Sequence, residues 1–213
     1  MEAWPSFLIQ AGDLLGQAVT PEQERALRAY VAELTQWNAR FNLVGPGGMA
    51  NLLTRHLLDS LRLAPVLSGR ERVADLGSGA GLPGLILAIC GDPGQTMDLV
   101  ESIQKKSRFL QHMVDHLGLN ARVRVLNARA ESLTPAVPYD VVISRALGNL
   151  ALGARLALPL LRVGGEYATL KGRRHPEDVA VYLRDPVSRA YAPPQIVANG
   201  EEGVLIRVQR VKV

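Results

Sequence analysis

Asp75 stands two residues ahead of a glycine run, Gly77-Ser78-Gly79-Ala80-Gly81-Leu82-Pro83-Gly84, and follows the apolar pair Val73-Ala74. Glycine lets a ligand lie against bare backbone, and a helix opening at a proline offers N–H groups that its own turns leave unpaired. The combination predicts a nucleotide-cofactor loop between a strand and a helix. Two chemistries compete for it. Gly79-x-Gly81-x-x-Gly84 satisfies the dinucleotide fingerprint, with Glu101 following at about 20 residues as a ribose-binding acid. Asp75 argues the other way: a carboxylate at the strand tip repels a pyrophosphate but attracts the ammonium of S-adenosylmethionine, which carries a sulfonium and no phosphate. The residues read first as those of a methyltransferase, with Asp75, Gly77, Gly79 and Glu101 at the cofactor. An NAD(P)-dependent oxidoreductase is the alternative, and Glu101 serves the ribose in either.

The elements that must position these residues follow a simple pattern. Thr20-Pro21-Glu22-Gln23 has the N-cap, proline and capping-box partner of a helix start, and Leu27, Tyr30, Val31, Leu34 and Trp37 follow at helical spacing. A second helix is expected from Met49 to Leu61, after Gly45-Pro46-Gly47-Gly48, so residues 1–65 read as a helical cap. Strand-like runs at Arg72–Leu76, Thr96–Glu101, Arg122–Leu126, Tyr139–Ser144 and Glu166–Leu170 alternate with helical stretches, which predicts an α/β, Rossmann-like core over 66–213 with a mostly parallel sheet. Ala190–Ala198 and Gly203–Val213 have no helix between them and are expected to form an antiparallel C-terminal hairpin. Cap and core together make one domain. In such a sheet ligands bind beyond the carboxyl ends of the strands, so Arg145 and Lys171, each following a strand-like run, point at the same cleft as the glycine loop.

Composition narrows the class. With 47% hydrophobic residues the chain can bury a sizeable core, and the single Cys90 excludes an internal disulfide. The start Met1-Glu2-Ala3-Trp4-Pro5 has no basic leader and no apolar run reaches membrane-spanning length, so a soluble cytoplasmic protein without membrane partners is expected. Residues 1–100 carry 7 Lys/Arg against 10 Asp/Glu, whereas 101–213 carry 17 against 10. That asymmetry suits a polyanion meeting the later part of the chain, and a non-catalytic RNA-binding module fits it as well as an enzyme does. Aromatic residues, at 5%, are too few for a long base-stacking platform. His112 and His116 share a helix face but lack a glutamate after the first histidine and a third ligand, so no metal is expected.

The loop string, together with Phe41-Asn42-Leu43, Arg55-His56-Leu57-Leu58-Asp59-Ser60, Ser144-Arg145-Ala146 and Leu170-Lys171-Gly172, resembles the RsmG family, also called glucose-inhibited division protein B. The matches run through most of the chain in order. The resemblance implies a class I methyltransferase fold and transfer of a methyl group from S-adenosylmethionine to guanine N7 in small-subunit (16S) ribosomal RNA, by a monomer acting on the RNA or the subunit. It also implies that Gly77 and Leu82 line the cofactor loop, that Ala130 and Glu131 meet the adenine, and that Arg145 borders the cofactor. Guanine N7 has an in-plane lone pair and no proton, so this chemistry needs no general base or nucleophile, and no catalytic acid or base is expected. Arg145 and Lys171 are candidates for positioning the acceptor. Arg55, Lys105, Lys106, Lys171, Arg173 and Arg174 are candidates for RNA contact, with Arg108 beside the Lys105 pair. Many family members carry Arg-His before the last strand, where this chain has Glu201-Glu202-Gly203-Val204, so the final hairpin carries no implied RNA contact.

Overall fold

A computed structural model describes residues 3–45, 47–198 and 203–211. Met1, Glu2, Pro46, Glu201 and Glu202, on which the expectations about the leader, the glycine turn and the final hairpin partly rest, lie outside them. Helix α1 spans Ala3–Leu15 and α2 Pro21–Phe41. The capping box forms as the sequence predicts: the Gln23 N–H donates to Thr20 Oγ1 at 3.2 Å and the Thr20 N–H to Gln23 Oε1 at 2.9 Å. Helix α2 stops at Asn42, a residue that tolerates the left-handed conformation it adopts here at φ 47°.

The second helix departs from expectation. Residues 49–51 form a turn, Leu52–Leu57 wind as a π-helical turn, and α-helix resumes as α3 over Leu58–Leu61 and α4 over Ala64–Leu67. The cause is the spacing of the apolar residues. Leu52 and Leu57 are both buried; a five-residue interval matches one wide π turn and overshoots an α turn. The widened turn carries Arg55 and His56 at the cleft.

The core is a seven-stranded sheet in the order β3-β2-β1-β4-β5-β7-β6. Strands β1 (Arg72–Leu76), β2 (Thr96–Val100), β3 (Val123–Leu126), β4 (Tyr139–Arg145) and β5 (Leu161–Gly172) run parallel, and β7 (Gly203–Gln209) pairs antiparallel with β5 and with β6 (Gln195–Ala198). Helices α5 (Gly84–Cys90), α6 (Gln104–His116), α7 (Leu150–Ala157) and α8 (His175–Arg184) connect them. Strand β5 starts five residues before the expected Glu166, because Leu161 already pairs with Tyr139 across a register shift. At that bulge a Cβ on Gly165 would lie 3.0 Å from the Asp140 carbonyl oxygen, so only glycine allows the two strands to approach.

The strands alternate faces. Val73, Val141 and Ile143 pack into a core shared with α1, α2, α5 and α6, while Ala74, Leu76 and Val142 pack into a second core with α7 and α8. The cap is therefore fused to one face of the sheet. Buried Tyr30 of α2 donates its hydroxyl to the Ala80 carbonyl at 2.8 Å, tying the cap to the glycine loop with a bond contributing about 1 kcal/mol.

Candidate cofactor and acceptor site

Strand order reverses between β1 and β4, and the loop after β1 opens there. Its backbone is held from below. The Gly77 and Ser78 N–H groups both donate to the Val100 carbonyl, at 2.9 and 3.0 Å, and the Gly79 N–H donates to Glu101 Oε2 at 2.9 Å. Gly77 has φ +72°, and a Cβ there would meet Leu147 at 3.2 Å, so the turn needs a glycine on both counts. Above the loop lies a cavity of about 640 Å³ bounded by Gly77, Gly79, Leu82, His56, Lys106 and Arg145.

Asp75 is not in that wall. It is fully buried on the face of β1 that packs against α5, and its Oδ2 accepts the Gly84 N–H at 2.9 Å. Its other oxygen is buried without a hydrogen-bond partner. Instead of standing exposed at the strand tip, Asp75 closes the start of α5 from beneath the loop. Burial is the main reason its pKa is pushed up to about 7, against the Gly84 and Ser78 hydrogen bonds and the charge of Arg145, which lower it. The ordinary value is 3.8, so between that and about 7 the unfolded chain releases a proton that the folded chain keeps. Asp75 then contributes less stability as pH rises through this window. The prediction is that Asp75→Asn, measured by thermal melting against wild type, gains relative stability from pH 5 to pH 8. A constant difference would show that Asp75 is ionised throughout.

Arg145 lies on the same face of β4 as Ile143 and Val141, toward the cap. Its Nη1 bonds His56 Nδ1 at 2.8 Å. Burial lowers the Arg145 pKa, an effect opposed by Tyr30, Asp59 and Asp75; the guanidinium stays charged. Ala146, the next residue, is held at φ +59°, a left-handed conformation unusual for alanine that turns the chain at the cleft. A second cavity of about 690 Å³ opens beyond Arg145, lined by Asp59, Arg62, Leu170, Lys171 and Asp178. Arg55, His56, Arg145 and Ala146 border both cavities.

Lys171 reaches this second cavity but is engaged: its Nζ lies 3.1 Å from Asp178 Oδ2 and donates to the Gly148 carbonyl. Arg173 and Arg174 are exposed beside it, and Arg174 precedes α8. Lys105 donates to the Phe41 carbonyl at 3.1 Å, and Lys106 borders the first cavity. Both lie in the first turn of α6, which has no acidic residue, so an anion there meets little opposition. Glu101 is buried, with Oε1 accepting the Ile103 N–H at 2.7 Å and Oε2 on the loop. Ala130 and Glu131 form a short 3-10 turn beyond β3, outside both cavity walls. His112 pairs with Glu33 at 2.7 Å and stacks on His116, and no cluster of three metal-binding side chains exists among the described residues.

Sequence reasoning missed three partners in this site: Tyr30, Asp178 and the His56 bond to Arg145. For Asp178 a signal existed. It stands in the first turn of α8, seven residues after Lys171, in reach of a lysine at the strand end.

Two carboxylates decide the cofactor class. Asp75 occupies the first N–H of α5 and Glu101 occupies the Gly79 N–H, the donors on which a dinucleotide's pyrophosphate would depend. The dinucleotide alternative is therefore not favoured. Relatives agree. A profile described as rRNA small subunit methyltransferase G matches residues 23–202. Ribosomal RNA small subunit methyltransferase G of Laribacter hongkongensis is 39% identical over 194 residues, covering 91% of this chain and 92% of that protein. Its counterpart in Aromatoleum aromaticum is 37% identical over 186 residues, covering 86% and 84%. Among solved structures, a SAM-dependent O-methyltransferase from Thermotoga maritima has a TM-score of 0.59 at 16% identity, covering 73% of this chain and 65% of that one. A tRNA methyltransferase from Aquifex aeolicus has a TM-score of 0.58 at 14% identity, covering 73% and 69%. These two likenesses concern the fold. The profile, spanning the glycine loop, Arg145 and Lys171 alike, and the two relatives with it, show that the chain belongs to the rRNA small subunit methyltransferase G family.

Proposed function

We infer that the protein methylates guanine N7 in small-subunit ribosomal RNA, in the cytoplasm, with S-adenosylmethionine as donor. The observation that carries the cofactor reading is the Glu101 carboxylate on the Gly79 N–H of the loop, which makes the cradle hospitable to a cation and hostile to a pyrophosphate, while Asp75 takes the first N–H of α5. Gly77, Gly79 and Leu82 would hold the cofactor along the loop. Glu101 would exchange a backbone partner for the ribose hydroxyls, and Ala130 and Glu131, as the family resemblance implies, would meet the adenine. When bound, S-adenosylmethionine would supply an electrophilic methyl on its sulfonium, open to in-line attack by the N7 lone pair with a neutral thioether as the leaving group.

The chain's own residues have to aim the acceptor. In this reading the guanine occupies the second cavity, so that its five-membered ring faces the partition shared with the first. Arg145 and Lys171 can bond O6 or a phosphate; a donor on N7 itself would block the attacking lone pair. Orientation supplies most of the rate, with no proton to move. A paired guanine in A-form RNA is out of reach, so the target is a loop, junction or flipped nucleotide.

The test joins two titrations. Calorimetry should find binding of S-adenosylmethionine and none of a nicotinamide dinucleotide; the reverse preference would end this reading. In this reading the exposed Arg173 and Arg174 carry the backbone contacts on this loop. Replacing both with alanine should reduce the slope of log affinity for RNA against log salt by roughly 1.5, leaving cofactor binding unchanged. An unaltered slope would move the RNA surface to Lys105, Lys106 and Arg108.

A further inference from the structure

His56 and Arg145 stand in the wall common to both cavities. A guanidinium has donors only, so its 2.8 Å bond to His56 Nδ1 exists only while that nitrogen is bare. The imidazole is then neutral, with its hydrogen on Nε2. Nε2 faces the glycine turn, where a Cβ on Gly48 would come within 3.3 Å of it. The ring is thus wedged between that turn and the guanidinium. Behind it, the widened turn Leu52–Leu57 is what swings His56 to the partition.

Resting on the methyl-transfer reading above, we propose that His56 is a positioning residue for the reaction: its bare Nδ1 fixes the Arg145 guanidinium in the partition, at the angle from which Arg145 orients the acceptor purine. His56 need touch neither substrate nor cofactor for this. Arginine has several rotatable bonds, and a guanidinium left to swing would give up the alignment on which in-line transfer depends.

The bond has a built-in dependence on protonation. Facing the imidazole are Arg145 from β4, Lys106 from α6, and Arg55 and Asp59 from its own segment; Arg62, Lys171 and Asp178 lie across the second cavity. Burial, then the charges of Arg145 and Arg55, lower the His56 pKa, and Asp59 alone opposes them. Protonation would turn Nδ1 from acceptor into donor and set two cations against each other. Transfer should be at full rate above this lowered pKa and fall as pH drops through it.

The experiment measures methyl transfer to unmodified small-subunit ribosomal RNA from about pH 8 to about pH 5, for wild type, His56→Ala and His56→Asn. Asparagine puts a carboxamide oxygen near the position of Nδ1 and does not titrate. We expect His56→Ala to lower kcat by about 10- to 100-fold with the RNA KM changed less than about threefold. His56→Asn should recover most of that kcat and lack the acid limb seen in wild type. Alanine within about twofold of wild type, or an asparagine variant that keeps the acid limb, would overturn the proposal. So would an asparagine variant that binds cofactor and melts like wild type but transfers no faster than alanine. Wild type failing to methylate RNA would instead sink the methyl-transfer reading, which keeps the two failures apart.

Discussion

Arg145→Ala is expected to reduce methyl transfer at least about a hundredfold, the scale on which lost alignment of reacting groups is felt. Among the described residues Arg145 is the only one that borders both cavities from a sheet strand, and it aims a fixed charge at the place where they meet. Without it His56 Nδ1 loses its donor, and Asp75 loses a charge that lowers its pKa. Arg145→Lys should recover little, because an ammonium cannot bond the imidazole and an acceptor in two fixed directions as a planar guanidinium can. Single-turnover rates with labelled cofactor, beside melting curves, provide the check. A variant that melts normally and transfers within about threefold of wild type would remove Arg145 from the reaction.

Gly84→Val should have the largest effect on stability. A Cβ at Gly84 would lie 2.6 Å from Leu99 Cδ2 and 2.7 Å from Asp75 Oδ2, closer than side chains tolerate. Neither neighbour can yield, since both are fully buried under α5. The intrusion should also break the Asp75 bond to the Gly84 N–H and leave a buried carboxylate without a donor. Overpacking plus that loss should cost about 3 kcal/mol or more, lowering Tm by roughly 6–12 °C in a chain of this size. Gly172→Ala, where nothing lies within 4 Å of the added Cβ, is the control and should melt like wild type. Equal melting of both variants would mean that α5 can shift away from β1.

The sequence disclosed most where chemistry and structure are local. Thr20 to Gln23 specify a helix start in four residues, and the glycine loop announces its own strand and helix. Face assignment was within reach too: Asp75 shares its parity with Val73, so it points toward α5, and only the pull of a charge at a strand tip suggested otherwise. The π turn was harder, because Leu52 and Leu57 sit among other leucines whose spacing also fits an α-helix. Least legible were contacts set by tertiary packing. His56 and Arg145 are 89 residues apart, and nothing near either one encodes their meeting. Glu101 and Lys171 stood out in the sequence as candidates, but not their present partners, the Gly79 N–H and Asp178.

The most direct test incubates the purified protein with methyl-labelled S-adenosylmethionine and small ribosomal subunits, or their RNA, from cells lacking the endogenous modification. The RNA is then digested to nucleosides and separated. Label confined to 7-methylguanosine, absent with Arg145→Ala and absent from fully paired RNA, is the predicted result. Label on another atom or base, or none from protein that binds the cofactor, would contradict guanine-N7 transfer as its function.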